Sequence, residues 1–159
     1  MPVIRSSVEV PAEYEAVRPL YERADGLATL TPSWLDLDFE AIEGPLAPLE
    51  VGSRFRVTAR LAGRGPALDG VVEIAEMTLE DDGGFVEDTL VDGPFDHWRH
   101  RRTLTPVSSG TRIEDVLRYR GPPGGSVGHI GAPLVMGLMF IYRRRRLQRV
   151  FNDVSVRAD

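Results

Sequence analysis

The sequence predicts an α+β fold, in which a curved antiparallel sheet of about seven strands wraps around one long C-terminal helix. Apolar and polar residues alternate along six successive segments within residues 35–119, and a period of two is typical of half-buried strands. Segments that follow one another along a chain are usually neighbours in a sheet, so antiparallel pairing is expected. Residues 134–151 then contain a single helix breaker, Gly137, and predict the long helix.

The N-terminal part of the chain predicts one strand and a helical region. Residues 3–10 alternate weakly and end at Pro11, which is well tolerated in the first turn of a helix. Residues 12–23 carry apolar side chains at helical spacing, but Pro19 interrupts the pattern and predicts a kink or two short helices there. The expected order is therefore a strand, a helix pair, six strands and the long helix.

Turn-forming residues separate the six expected strands. The first four strands are predicted at residues 35–41, 54–61, 68–79 and 85–91, and the last two lie within residues 92–119 on either side of a loop at residues 106–109. The sequence DDGG at residues 81–84 is a strong hairpin turn. Residues 121–133 contain five glycines and three prolines, so no regular element is expected there. A mobile gate over a cavity and a rigid connector are both consistent with this composition.

The long helix predicts a cavity. Its first half, LVMGLMFIY, is apolar on every side, whereas its second half, RRRRLQRVF, is amphipathic. A helix that is apolar all round must be covered on most sides, and a concave sheet gripping the helix provides that cover. Such a sheet leaves a space between itself and the helix. The length of 159 residues predicts a single domain over residues 1–159 with a core of its own.

Composition disfavours several classes of function. The chain has no cysteine, which excludes a disulfide framework and a thiolate metal site. The N-terminal residues lack the apolar stretch of a secretory signal, so a cytoplasmic protein is expected. Three histidines and scattered carboxylates do not predict a metal centre, and the glycine-rich residues 121–133 lack the context of a nucleotide-binding fingerprint. We therefore expect neither a metal nor a cofactor.

Charge is distributed unevenly along the chain, whose 19 basic residues are all arginine. Residues 1–98 carry 7 arginines against 20 acidic residues, and residues 99–159 carry 12 arginines against 4. Two interpretations are open: a basic face for an anionic partner, or two halves that neutralise each other. We favour the second, because a compact sheet brings the halves together. The net charge is −5 and no binding motif is recognisable, so nucleic acid is not an expected partner.

Residues 92–119 predict the functional centre, two long strands joined by a tight loop at residues 106–109. This register pairs Thr105 with Gly110 and places His100 opposite Asp115, about 5 Å away. One face of the two strands carries Trp98, His100, Arg102 and Leu104, then Ile113, Asp115, Leu117 and Tyr119. Such a mixed row is typical of a ligand cavity, whose apolar wall carries a few placed polar groups.

Three segments of the chain resemble those of the SRPBCC superfamily, also described as START-like or Bet v 1-like: GPFDHWRHRRTL, GTRIEDVLRYRGPPG and FIYRRRRL. A small prokaryotic branch of ligand-binding or polyketide cyclase/dehydrase-like proteins has the pattern GPF-x-x-W-x-H-x-H-x-F, then GT-x-x-x-D-x-V-x-Y. The matching residues are Gly93, Pro94, Phe95, Trp98, His100, Gly110, Thr111, Asp115 and Tyr119. Arg102 stands where a second histidine is usual. The resemblance implies a helix-grip fold that binds lipids, sterols or polyketides, with some members acting as enzymes.

The resemblance and the residue pattern together predict a ligand between the sheet and the C-terminal helix. Apolar contacts are expected from Trp98, Leu117, Tyr119, Met136, Met139 and Phe140. Arg102 is expected to orient a polar end of the ligand, since a guanidinium pairs with carboxylates. An ion pair within the wall is the alternative for Arg102. The favoured function is binding of a small hydrophobic molecule rather than catalysis.

His100 and Asp115 are the candidate catalytic residues. A carboxylate can hold an imidazole in one tautomer and raise its basicity, which makes a general base near neutral pH. Cyclase, dehydratase or isomerase chemistry would follow, as the resemblance to polyketide cyclases implies. The alternative is a buried pair that ties two strands together and satisfies its own polar groups, and we favour this alternative.

A third class of function is an interaction module that uses the arginines at residues 143–146 to bind a protein or a membrane. The alternative interpretation is that these arginines form the solvated end of the helix, since positive charge is favourable near a helix C-terminus. The preceding apolar run at residues 127–142 is shorter than the roughly 20 residues needed to cross a bilayer, so no integral span is expected. The oligomeric state stays open, with a homodimer as one outcome.

Overall fold

The computed structural model describes residues 1–61, 64–121 and 126–157 of the chain. Within these residues the chain forms seven strands and three helices. The strands are β1 (Val3–Val10), β2 (Leu35–Glu43), β3 (Arg54–Leu61), β4 (Arg64–Glu80), β5 (Gly83–Asp92), β6 (His97–Val107) and β7 (Gly110–Arg120). The helices are α1 (Tyr14–Tyr21), α2 (Gly26–Thr29) and α3 (Ser126–Arg157).

The strands form one antiparallel sheet in the order β1-β7-β6-β5-β4-β3-β2. Strands β2 to β7 pair with their neighbours in the chain, and β1 pairs with the free edge of β7. The prediction of an α+β fold with a curved antiparallel sheet and a long C-terminal helix is confirmed. The bounds of β1 and β3 agree with the prediction, whereas β4 begins at Arg64 rather than at Leu68.

The connection between β6 and β7 is a two-residue turn at residues 108–109, so Val107 pairs with Gly110. The predicted loop was two residues too long because it assigned Pro106 to the turn. Pro106 instead stays in the strand, at a position whose missing N–H would point away from β7. Pairing of β6 with β5 has already ended at Leu104, so no neighbouring carbonyl loses a donor.

The shorter turn changes which residues face one another on β6 and β7. His100 lies opposite Leu117, and Arg102 lies opposite Asp115. The predicted pairing of His100 with Asp115 is therefore wrong by two residues. A shift of two keeps every side chain on its predicted face, so the row of mixed side chains still points to the interior.

Helix α3 begins at Ser126, earlier than the predicted start at residue 134. The expectation that residues 121–133 hold no regular element is wrong for residues 126–133, which continue the helix through Gly128, Gly131 and Pro133. Helix propensity is a weak predictor that tertiary contacts override. The predicted gate falls partly on residues 122–125, which lie outside the described residues.

Buried apolar side chains form three groups between the sheet and the helices. The first group joins the C-terminal half of α3 to β7 through Leu147 and Ile113, and the third places Phe140 of α3 on the same strand. The second group lies over β4 and β5 and includes Ile74 and Val86. Because α3 packs on the β1–β7–β6 part of the sheet, a space remains between α3 and strands β2 to β5.

Candidate functional site

That space is a cavity of about 300 Å³. Its wall is formed by inward-facing residues of β2 to β7 and by one face of α3, and most of them are apolar. The volume lies at the lower end of the roughly 300–1,000 Å³ that ligand pockets occupy. The cavity is therefore large enough for a small organic molecule.

The cavity has an open end. Trp34, in the connection before β2, lines the cavity and is 47 % exposed, so it marks the open end. Ile74 and Leu117 line the cavity too and are each 1 % exposed. The lining therefore ranges from a half-exposed indole to side chains that are fully buried.

Buried polar side chains of β5 and β6 form part of the cavity wall. Asp88 occupies an inward position of β5 between Val86 and Leu90, and His100 and Arg102 occupy alternate inward positions of β6. Asp88 and His100 are 6 % and 3 % exposed. Charged groups this deeply buried need partners, and the geometry of this cluster supplies them.

His100 is held by Asp115, whose Oδ1 lies 2.9 Å from Nε2 of the imidazole. Burial would raise the pKa of the Asp115 carboxyl, but the hydrogen bond and charge of His100, together with Arg143 and Arg102, outweigh burial and lower the pKa. Asp115 is therefore ionised at neutral pH. The ring of Phe140 stands edge-on to the imidazole at 5.7 Å between centroids, which fixes the second side of His100.

Asp88 is the second anchor of the polar cluster. Its Oδ2 accepts a hydrogen bond of 3.2 Å from Nε1 of Trp98, and its Oδ1 accepts one from Nη2 of Arg102. Nδ1 of His100 lies 3.9 Å from the same Oδ1, which is too far for a hydrogen bond. Both buried carboxylates thus have partners of their own, and Nδ1 of His100 remains available to a ligand.

Arg143 of α3 completes the polar cluster from the opposite side. It lines the cavity, and its guanidinium carbon lies 5.5 Å from the centroid of the Phe140 ring. Burial lowers the pKa of Arg143, and the charge of Asp115 opposes this effect. The prediction of a solvated arginine run does not hold for this residue.

The sequence matches no protein-family model and no curated protein. Solved structures do match. A protein from Thermus thermophilus aligns with a TM-score of 0.66 at 20% identity, over 97% of this chain and 99% of that one. Norcoclaurine synthase from Thalictrum flavum, in complex with dopamine and hydroxybenzaldehyde, aligns with a TM-score of 0.65 at 16% identity, over 96% and 87%.

Major latex-like protein 151 from Panax ginseng aligns with a TM-score of 0.64 at 11% identity, over 94% of this chain and 97% of that one. The chain has the helix-grip fold of Bet v 1-like proteins. The structural alignments establish the fold. At such low sequence identity they do not establish the chemistry, because one fold hosts many functions, and the chemistry must be argued from the site. The specific prokaryotic branch that the sequence resembles stays a prediction.

The helix-grip arrangement brings most of the predicted site residues to the cavity. The predicted residues that line it are Trp98, His100, Arg102, Leu117, Met136, Met139 and Phe140. Asp115 does not line the cavity and instead supports His100 from behind. Tyr119 does not line it either, because its ring packs edge-on against Phe95 at 6.1 Å. The predicted contact between Tyr119 and a ligand is therefore not part of this geometry.

Sequence reasoning missed Asp88, Trp34 and Arg143. A signal existed for Arg143, because it follows Met136 and Phe140 at a spacing of seven and three residues and so shares their face of the helix. Asp88 was detectable as a polar residue at an inward position of a strand. Trp34 carries no such signal, because it lies in a connection whose path depends on tertiary packing.

Two other classes of site were considered in the sequence, a metal centre and a contact with a membrane or a protein. In the part of the chain that the structure describes, no three histidine, aspartate or glutamate side chains are arranged to hold a metal ion. Among the helices of the described residues, none is long and apolar enough to cross a membrane. Arg144 and Arg145 are exposed on α3, as the interaction-module hypothesis requires.

Proposed function

We propose that this helix-grip protein, which we expect to act in the cytoplasm, binds a small hydrophobic or amphipathic molecule in the cavity between the sheet and α3. The observation that carries the proposal is a mostly apolar cavity of about 300 Å³ whose wall includes a cluster of buried polar side chains. Apolar walls supply affinity, and a few placed polar groups fix the orientation of the ligand. Lipid-, polyketide- and sterol-like molecules have this amphipathic character.

The comparison with norcoclaurine synthase supports the same proposal. That protein has the same fold and was solved with dopamine and hydroxybenzaldehyde bound. Both molecules are small aromatic compounds with polar substituents. A helix-grip protein can therefore hold molecules of the size and polarity that suit the cavity described here.

The experiment is uptake of prodan, a neutral dye whose emission shifts to shorter wavelengths in an apolar site. The wild-type protein should bind prodan, and Leu90→Trp should weaken binding by about tenfold or more, since the new ring occupies the cavity that Leu90 lines. Val91→Trp is the matched control, because Val91 is the next residue of β5, is 51 % exposed and faces away from the cavity. It should leave prodan affinity within about twofold.

Failure of the wild-type protein to bind prodan would overturn the proposal. Equal weakening by Leu90→Trp and Val91→Trp would also count against it, because the dye would then lie outside the cavity. Circular dichroism of both variants checks that the added rings leave the sheet folded.

We infer a second candidate function, a cyclase-, dehydratase- or isomerase-type enzyme with His100 as general base. The observation that favours it is the orientation of the ring. Ionised Asp115 accepts a hydrogen bond from Nε2–H, so whenever the imidazole is in its neutral form Nδ1 is the unprotonated nitrogen. Because Nδ1 makes no hydrogen bond to Asp88, it can take a proton from a bound molecule.

Elimination of 5-nitrobenzisoxazole tests this candidate, since a base removes the C3 proton while the N–O bond breaks to give a cyanophenolate. If His100 is the base, His100→Ala should lower the rate by about a hundredfold. His97→Ala is the control, because His97 lies on the same strand and does not line the cavity. Equal rates for wild type and His100→Ala would eliminate the enzymatic candidate and leave the binding function intact.

A further inference from the structure

We propose that the ligand carries a single carboxylate and that Arg143, together with Arg102, binds it. The inference rests on the proposed binding function, since it names the head group of the molecule that the cavity would hold. It follows from which charges in the polar cluster already have partners and which do not.

Arg143 is the cation without a partner of its own. Among the described residues, no carboxylate oxygen lies within 4.0 Å of its nitrogens, and its buried Nε has no hydrogen-bond partner. Nε itself is closed off from the cavity, but Arg143 lines the cavity, and its terminal nitrogens make no hydrogen bond to the described residues. An acceptor that reaches these terminal nitrogens would come from the ligand and would form a charge-assisted hydrogen bond.

Arg102 offers a second unused donor on the facing wall. Its Nη2 donates to Asp88, but its buried Nε has no partner among the described residues. Both arginines line the same cavity, one from β6 and one from α3, and Nη1 of Arg102 makes no hydrogen bond to the described residues. A planar acceptor between them would receive hydrogen bonds from both arginines.

The charge count limits the ligand to one negative charge. Asp88 is balanced by Arg102, and, with His100 neutral, the charge of Asp115 balances that of Arg143 through space, so the cluster has no excess positive charge for a dianion. A carboxylate supplies one negative charge and two oxygens that match a guanidinium fork. A dianion such as a phosphate monoester would be repelled more strongly by the two nearby aspartates. A neutral carbonyl would form weaker hydrogen bonds than an ionised group.

The test compares two ligands of the same shape, naphthalene-2-acetate and naphthalene-2-acetamide, by displacement of prodan from the wild-type protein. The carboxylate should bind about ten- to a hundredfold more tightly than the amide, the usual range for charge-assisted hydrogen bonds. Arg143→Met should remove this preference, measured as the ratio of the acid and amide affinities, whatever its effect on prodan affinity itself. Arg145→Met, which changes an exposed arginine of the same helix, should keep the preference.

Equal affinity of the acid and the amide for the wild-type protein, with prodan bound normally, would overturn the carboxylate inference and leave the proposed function standing. Absence of prodan binding would instead overturn the proposed function. The comparison of acid and amide on the wild-type protein does not depend on any variant. If Arg143→Met does not fold, Arg143→Gln replaces it in the test. A carboxylate preference retained in both Arg143→Gln and Arg102→Met would also overturn the assignment to these residues.

Discussion

Nε2 of His100 lies 2.9 Å from Oδ1 of Asp115, although the two residues are diagonal rather than opposite on β6 and β7. Diagonal neighbours remain within reach of long side chains. The diagonal contact leaves Asp115 directly opposite Arg102, so one carboxylate interacts with both the imidazole and a guanidinium. The strand register thereby determines the charge environment of the cavity wall.

The first prediction concerns the pH dependence of stability. The pKa of Asp115 is lowered in the folded state from its ordinary value of 3.8, so its contribution is present above that value and is lost as pH falls through the folded pKa. Asp115→Asn keeps the shape and removes the charge. The variant should be less stable than wild type by about 1–3 kcal/mol at pH 7, and the difference should shrink below about pH 4.

Urea denaturation of wild type and Asp115→Asn, at pH 7 and again below about pH 4, measures this difference in the free energy of unfolding. Asp92→Asn removes an exposed carboxylate of the same sheet and should change the free energy of unfolding by no more than about 0.5 kcal/mol. A difference between wild type and Asp115→Asn that stays constant with pH would show that the charge of Asp115 is not what stabilises the fold.

The second prediction concerns Gly110, which ends the turn between β6 and β7 with φ at +140°. A Cβ at this position would lie 2.0 Å from the carbonyl oxygen of Val10, so β1 or the turn must move. Gly110→Ala should destabilise the protein by about 3 kcal/mol or more. Gly52 also has positive φ, but a Cβ there would meet no atom within 4 Å, so Gly52→Ala should cost only about 1 kcal/mol.

Thermal and urea unfolding of the two glycine variants measures this contrast. Equal costs for Gly110→Ala and Gly52→Ala would mean that the close approach of β1 to the turn does not limit the substitution.

The third prediction concerns the packing of α3 on the sheet. Ile113 of β7 is 0 % exposed and belongs to the group that includes Leu147 of α3. Ile113→Ala leaves a cavity in this group and should lower the free energy of unfolding by about 3 kcal/mol. The matched substitution Ile42→Ala, at a residue that is 51 % exposed, should cost less than about 1 kcal/mol. Similar losses at both positions in urea denaturation would contradict this packing.

The fourth prediction uses the two tryptophans as reporters of ligand entry. Trp34 is exposed at the open end of the cavity, whereas Nε1 of Trp98 is bound to Asp88 in the wall. A ligand that covers Trp34 should shift its fluorescence to shorter wavelengths, since the indole loses contact with water. Addition of decanoate should produce this shift in wild type and in Trp98→Phe. A shift that persists in Trp34→Phe would place the entrance elsewhere.

The order of elements was predictable because it depends on local periodicity. Alternation within each segment identified the strands, and the bounds predicted for β1 and β3 agree with the structure. The start of α3 was not predictable in the same way, since glycine and proline at residues 128–133 argue against a helix by propensity alone. The turn at residues 108–109 was misjudged because Pro106 is tolerated only where the neighbouring strand has ended.

The sequence by itself determined the fold class and the face on which each strand residue lies, because side-chain direction alternates along any strand. It also indicated His100, Arg102 and the α3 face beginning at Met136 as parts of one site. Tertiary structure alone decided that Asp88 pairs with Arg102 and that Arg143 lies in the cavity wall with no carboxylate partner among the described residues. These contacts join elements far apart in the chain, and their energies depend on distance and burial, which no local pattern contains.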